Sequence, residues 1–240
     1  MELVESVISW FLDPANWTGS NGVPSRVSEH LLLSAVSMAI ALVIALPVGL
    51  AIGHTGRATR VVIAVAGLGR AVPSYALLIL SVGFFGLALV ASLPALVLLA
   101  VPPILVNSAT AIRDVDRDIV EAGRAMGMRE LTVLREVEVP PAMPIVIAGI
   151  RVATLQVIAT ATLAALVAGG GLGRYIVDGF GLQDYPRMIA GAILVAALAL
   201  ATQVAFTLVE RGRARPSGAS SSSRHPAVLG PPSSATLGPQ

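Results

Sequence analysis

Long apolar runs separated by short polar stretches dominate the chain from Leu31 onward. A helix rises about 1.5 Å per residue and a bilayer's hydrocarbon core is about 30 Å thick, so about 20 apolar residues cross it. Residues 31–52, 61–85, 89–111, 141–167 and 188–209 meet that length, which predicts five spans. Arg70 interrupts the second near its start, and Pro47, Pro73, Pro94, Pro102, Pro103 and Pro144 punctuate the set. Proline removes a backbone donor, but a packed bundle re-satisfies the freed carbonyls, so these positions predict kinks. Ahead of the first span, Leu3, Val4, Val7, Ile8, Phe11 and Leu12 recur at three-to-four spacing. That period predicts a short amphipathic helix on the membrane surface, with Trp10 and Trp17 suited to the interfacial belt. The stretch carries Glu2 and Glu5 and no Arg before Arg26, so it lacks the basic start of a signal peptide.

Composition supports the same class. The 240 residues are 55% hydrophobic and 12% charged, where an ordinary soluble domain is about 25% charged. Every basic residue is Arg, and the arginines sit near the ends of the apolar runs rather than in a stripe that would follow nucleic acid. Arg57, Arg60, Arg113, Arg117, Arg124, Arg129, Arg135, Arg211, Arg213, Arg215 and Arg224 fall on one side of the five-span topology. Arg26, Arg174 and Arg187 fall on the other. By the positive-inside rule the N-terminus is outside and the C-terminus cytoplasmic. Arg70 and Arg151 lie at the cytoplasmic ends of their spans, as interfacial anchors or as partners for Glu136 or Glu138. Residues 1–30 then read as an extracytoplasmic segment, 31–211 as the membrane domain, and 212–240, rich in Ser, Pro and Gly, as a disordered tail. No Cys is present, and His30, His54 and His225 show no ligand spacing, so no metal site is expected.

The stretch between the third and fourth spans is unlike the rest. Asp114, Asp116, Arg117, Asp118, Glu121, Arg124, Arg129, Glu130, Arg135, Glu136 and Glu138 interleave both charge signs with apolar positions. Ile119, Val120, Ala122, Gly123, Met126 and Gly127 include several small residues close together, where another surface could approach a helix, and Gly127 suits a left-handed helix end. Residues 130–137 predict a second helix, and Pro140-Pro141 predicts its stop.

The order Glu121-Ala122-Gly123, then Gly127, then Val137, Val139 and Pro140 resembles the EAA loop of ABC importer permeases. It departs from the pattern only in Gly123 for the usual second Ala and in Val for Ile and Leu. Arg70-Ala71-Val72-Pro73-Ser74, Pro102-Pro103-Ile104-Leu105-Val106-Asn107, Ile112-Arg113-Asp114-Val115-Asp116, Ala148-Gly149-Ile150-Arg151, Ala161-Thr162-Leu163-Ala164-Ala165 and Gly169-Gly170-Gly171-Leu172-Gly173 resemble the branch serving glycine betaine, carnitine, choline and related osmoprotectants. The resemblance implies an all-α membrane protein with five transmembrane helices, and a cytoplasmic coupling helix docked on an ATPase subunit. It implies two copies of that ATPase, which binds ATP and Mg, a second permease copy or paralogue, and an extracytoplasmic substrate-binding protein. The chain itself would be a non-catalytic permease without a cofactor of its own. The same machine with methionine or a sulfonate as cargo, or a passive channel or scaffold, stays open on these residues.

Quaternary ammonium groups are commonly held in aromatic cages. Of the Tyr and Trp residues only Tyr75 lies well inside a predicted span, which moves selection to the binding protein. Tyr75, Asn107, Thr154, Gln156, Thr160 and Thr162 are candidates to line the path, or to hydrogen-bond between helices. Gly169, Gly170, Gly171 and Gly173 lack the Lys-Ser/Thr ending of a phosphate loop and read as a flexible turn at an outer gate or a contact for the binding protein.

Overall fold

A computed structural model describes residues 1–57, 64, 67, 72–86, 89–167 and 169–213. Arg60, Arg70, His225, most of the first half of the second predicted span and the tail beyond Arg213 lie outside the described residues. The described elements are helical. They are α1 (Glu2–Leu12), a 3-10 turn (Pro14–Trp17), α2 (Val23–Thr55), α3 (Ser74–Phe85), a second 3-10 turn (Leu89–Ser92) and α4 (Leu93–Arg113). Then come α5 (Arg117–Ala125), α6 (Glu130–Thr132), a π turn (Val133–Glu138), α7 (Val139–Val167), α8 (Gly173–Gly181) and α9 (Tyr185–Arg213).

Among the described residues, four segments are long and apolar enough to cross a membrane: Val23–Thr55, Val90–Arg113, Glu130–Val167 and Tyr185–Gly212. α3 is apolar but only 12 residues long. The chain is therefore a multi-pass membrane protein. α2 begins at Val23, before the apolar run at Leu31, because a helix continues through polar residues once its backbone bonds are running.

α2, α4 and α7 form the centre. Met38, Ala41 and Ala45 of α2 pack against Ala100 and Ile104 of α4 and Ala153 and Val157 of α7. Lipid is as apolar as a leucine side chain, so helices in a membrane associate through close packing of small residues. Gly49 and Gly53 show how close: a Cβ on Gly53 would lie 2.6 Å from the Ala109 carbonyl oxygen, and one on Gly49 2.8 Å from Ser108 Cβ. α9 lies at the periphery, and none of its apolar window is buried within the chain.

The sequence predicts a stop at Pro140-Pro141, but the helix does not end there. It runs on from Glu130 to Val167 through the π turn. The Val139 N–H donates to the Leu134 carbonyl five residues back instead of four. Pro140 and Pro141 have no N–H to give, and the wider turn seats rings that a regular α turn would drive into the carbonyls before them.

Each end of the bundle gathers its own loops. At one end the last turn of α2 meets the polar loop, and Arg151 of α7 pairs with Glu210 of α9 at 3.1 Å. At the other, Arg26 and Glu29 of α2 meet the α7–α8 turn, and Tyr175 of α8 donates its hydroxyl proton to the Asn21 carbonyl at 2.7 Å.

Candidate functional site: the loop end and its opposite

α5 starts at an Asp116 cap whose carboxylate accepts from the Asp118 N–H at 3.0 Å, satisfying one free donor of the first turn. It ends in a Schellman motif: Met128 N–H donates to the Gly123 carbonyl at 3.3 Å and Gly127 N–H to the Arg124 carbonyl at 2.9 Å. Gly127 has φ +83°, and a Cβ there would meet nothing within 4 Å. Its glycine therefore answers to backbone conformation and not to space.

One stripe of this helix faces inward. Val120 and Gly123 are buried, and Val120 joins Ala111, Ile112, Val115, Val133, Ala142 and Val146 in one apolar cluster. A Cβ on Gly123 would lie 3.3 Å from Met128 Sδ and 3.5 Å from Val137 Cγ2. The small residue at 123 thus lets α5 settle on its own chain's π turn, and the flexible methionine tip can yield to an alanine. Glu121, Ala122, Arg124, Met126 and Gly127 are exposed, with Met126 at 76% and Ile119 at 57%. Val137 and Val139 are half-buried beneath the helix, and Pro140 is exposed. The arrangement is a short helix fixed to the bundle on one side and open on the other.

Charge pairs hold it from below. Glu138, on the π turn, has a fully buried side chain and accepts from His54 Nδ1 at 2.5 Å. The other nitrogen of the same ring, Nε2, lies 3.0 Å from Glu130 Oε2. Arg117 Nη1 stands 4.0 Å from Glu138 Oε1, which has no hydrogen bond. Removing one partner from a buried pair leaves an uncompensated charge, at a cost of about 3–5 kcal/mol. Arg124 grips Glu130 with Nε and Nη2 at 3.1 Å. Arg151 pairs with Glu210, not with Glu136 or Glu138, because its position on α7 faces α9. Sequence reasoning gives His54 no role. Its only signal there is a lone histidine at a helix end, and its partners are 76 and 84 positions away.

Three of the path candidates bond within their own helices. Thr154, Thr162 and Asn107 each donate to a carbonyl of their own helix: Ile150 at 2.8 Å, Ala159 at 2.6 Å and Pro103 at 2.7 Å. Thr160 is buried, Gln156 half-buried, and Tyr75 is 45% exposed in the first turn of α3. Asn107 also fills the space opposite Gly149, where a Cβ would lie 2.5 Å from its own. A cleft of about 780 Å³ near the loop end is lined by Met143, Pro144, Ile147, Ala148 and the Arg151–Glu210 pair, and by none of these six.

At the opposite end the glycine run is clamped. Glu29 Oε2 accepts from the Gly171 N–H at 2.8 Å and from Arg26 Nη1 at 2.8 Å. A Cβ on Gly170 would fall 2.3 Å from that same oxygen, and one on Gly173 2.2 Å from the Thr162 carbonyl oxygen. Gly171 adopts φ +74° beside His30, whose Nε2 lies 3.1 Å from the Ile158 carbonyl oxygen. Trp10 of α1 meets the Tyr175 ring edge-on at 5.3 Å, and burial pushes the Tyr175 hydroxyl above its ordinary range. Among the described residues no group of three or more His, Cys, Asp or Glu is placed to hold a metal ion.

A short helix thus rests on a multi-pass bundle at its charged loop. Residues 28–215 match the family described as binding-protein-dependent transport system inner membrane component, and the chain belongs to that family. Its members are the membrane subunits of ABC importers, which work with an ATPase and a substrate-binding protein.

Among curated relatives it is 34% identical to the glycine betaine/carnitine/choline transport system permease protein OpuCB of Bacillus subtilis, covering 78% of this chain and 86% of that one. It is 36% identical to the carnitine transport permease protein OpuCD of Listeria monocytogenes (81% and 87% covered). It is 33% identical to the osmoprotectant import permease protein OsmW of Salmonella typhimurium (80% and 90% covered). Its fold is similar to a chain of the MetNI methionine ABC transporter in inward-facing conformations. The TM-score is 0.71 at 24% identity, with 80% of this chain and 96% of that one covered.

Proposed function

We propose that this chain is the permease of an ATP-driven importer of osmoprotectants such as glycine betaine, choline, carnitine or proline betaine, with α5 as its coupling helix. The observation that carries the coupling role is the contrast within α5: Val120 and Gly123 are packed into the bundle, while Glu121, Ala122 and Met126 stand free for a partner. The cargo class rests on the relatives' printed substrates, borne by chains 33–36% identical over most of their length.

Glu121, Ala122 and Met126 enter a cleft of the ATPase, two copies of which bind ATP and Mg beneath two permease chains. Gly127, Val137, Val139 and Pro140 keep the loop and bundle moving as one unit. A binding protein outside selects the cargo and docks near Gly169, Gly170, Gly171 and Gly173, and the permease interior selects weakly. The N-terminus is outside and the C-terminus cytoplasmic.

A fifth crossing, the apolar run at 61–85, completes the bundle. What supports it is connectivity: α2 and α4 both end beside the polar loop, so the chain between them has to return across the membrane once.

Uptake of labelled glycine betaine into proteoliposomes holding permease, ATPase and binding protein tests the reading. Uptake that requires ATP and both partners is expected, and ATP-independent flux contradicts it. Glu121→Lys and Gly127→Arg should abolish uptake while the protein still inserts, and normal uptake by either would overturn the coupling assignment.

A further inference from the structure

We infer that His54 and Glu138 form the tie through which movement of α5 and its π turn reaches α2, making them positioning residues for transport. The inference rests on the reading of α5 as the coupling helix.

Three features meet at this point. Glu138 is fully buried, sits on the one described π turn, and leads directly into the long helix α7. Such one-turn expansions inside α-helices are frequent at functional sites, because they aim a side chain that a regular helix would turn elsewhere. His54 closes the last turn of α2, and its ring, 11% exposed, places one nitrogen on Glu138 and the other on Glu130. A carboxylate only accepts hydrogen bonds, so Nδ1 donates to Glu138, while Nε2 faces the Glu130 carboxylate at 3.0 Å. The second oxygen of Glu138 has no hydrogen bond and stands 4.0 Å from Arg117, the first residue of α5.

Glu138 is thus addressed from α2 and from α5 at once. The apolar cluster under α5 also includes Leu46 and Leu50 of α2, but apolar contacts slide, whereas a short buried pair fixes distance and direction. A push on α5 displaces the π turn, and the His54–Glu138 bond carries that displacement to α2 along its length. The Arg124–Glu130 pair also reaches His54, through Glu130 Oε2 at 3.0 Å, but it is exposed, so the buried Glu138 bond carries the tie.

The test measures solute imported per ATP hydrolysed in the reconstituted complex, using labelled glycine betaine, carnitine or choline as the wild type imports it. His54→Gln and Glu138→Gln are each expected to lower that ratio at least ten-fold. The double variant should be no worse than either single, since both remove one link. His54→Arg supplies several donors to the Glu138 carboxylate and should recover at least a third of the wild-type ratio. A merely structural role would reduce the amount of folded complex and leave the ratio unchanged. An unchanged ratio in either Gln variant, with Glu121→Lys inactive, overturns the tie and spares the coupling reading. Full transport by Glu121→Lys overturns the coupling reading itself. If His54→Gln fails to insert, Glu138→Gln decides by the same measure.

Discussion

α5 and α8 are both nine-residue helices at opposite ends of the bundle, and each depends on glycine for a different reason. α5 ends at Gly127, where open space surrounds the missing side chain and only the positive φ excludes other residues. α8 begins at Gly173 and contains Gly179, where a Cβ would lie 2.2 Å and 2.7 Å from backbone atoms of neighbouring segments. One helix is shaped to point outward from a fixed base, and the other to be pressed into the bundle. The contrast separates an element that offers a surface from one that closes a structure, although both arise from short glycine-bounded segments.

The largest effect that can break this contrast is at α8. Gly173→Val drives side-chain atoms into the Thr162 carbonyl and should destabilise the protein by about 3 kcal/mol. Thermal unfolding in detergent should register that as loss of folded material. Gly127→Ala should cost about 1–2 kcal/mol, set by the left-handed backbone alone, and leave a folded protein. Equal losses from the two would remove the distinction. Tyr175→Phe should cost about 1 kcal/mol by orphaning the Asn21 carbonyl, measured in the same unfolding assay. Arg124→Ala, which breaks an ion pair with side chains 40% and 62% exposed, should change stability by less than about 0.5 kcal/mol.

What is legible in the sequence comes from signals that repeat. Apolar length, arginine placement and the three-to-four spacing of residues 3–12 each sum over many positions, so the helices and the polar loop can be read from the residue pattern alone. The Glu121, Gly127 and Pro140 spacing carries the family. Contacts between single residues far apart leave no such period. His54 meets Glu138 across 84 positions, and Glu29 meets Gly171 across 142. The glycine run accordingly reads as a flexible turn, while in the fold Glu29 and His30 pack against it. The continuation of helix through Pro140-Pro141 is hidden for a related reason: the rule that proline ends helices assumes a regular α turn, and the π turn removes that assumption.

The central claim is that α5, and not the α8 end, faces the ATPase. The chain contains no Cys, so a single introduced cysteine is a unique reporter. Met126→Cys on the α5 turn and Phe180→Cys on α8 are matched in exposure, at 76% and 77% for the native side chains. In membranes containing the assembled complex, a short thiol cross-linker should join Met126→Cys to the ATPase subunit and leave Phe180→Cys unjoined to it. Cross-linking of Phe180→Cys to the ATPase, with none from Met126→Cys, would contradict the account.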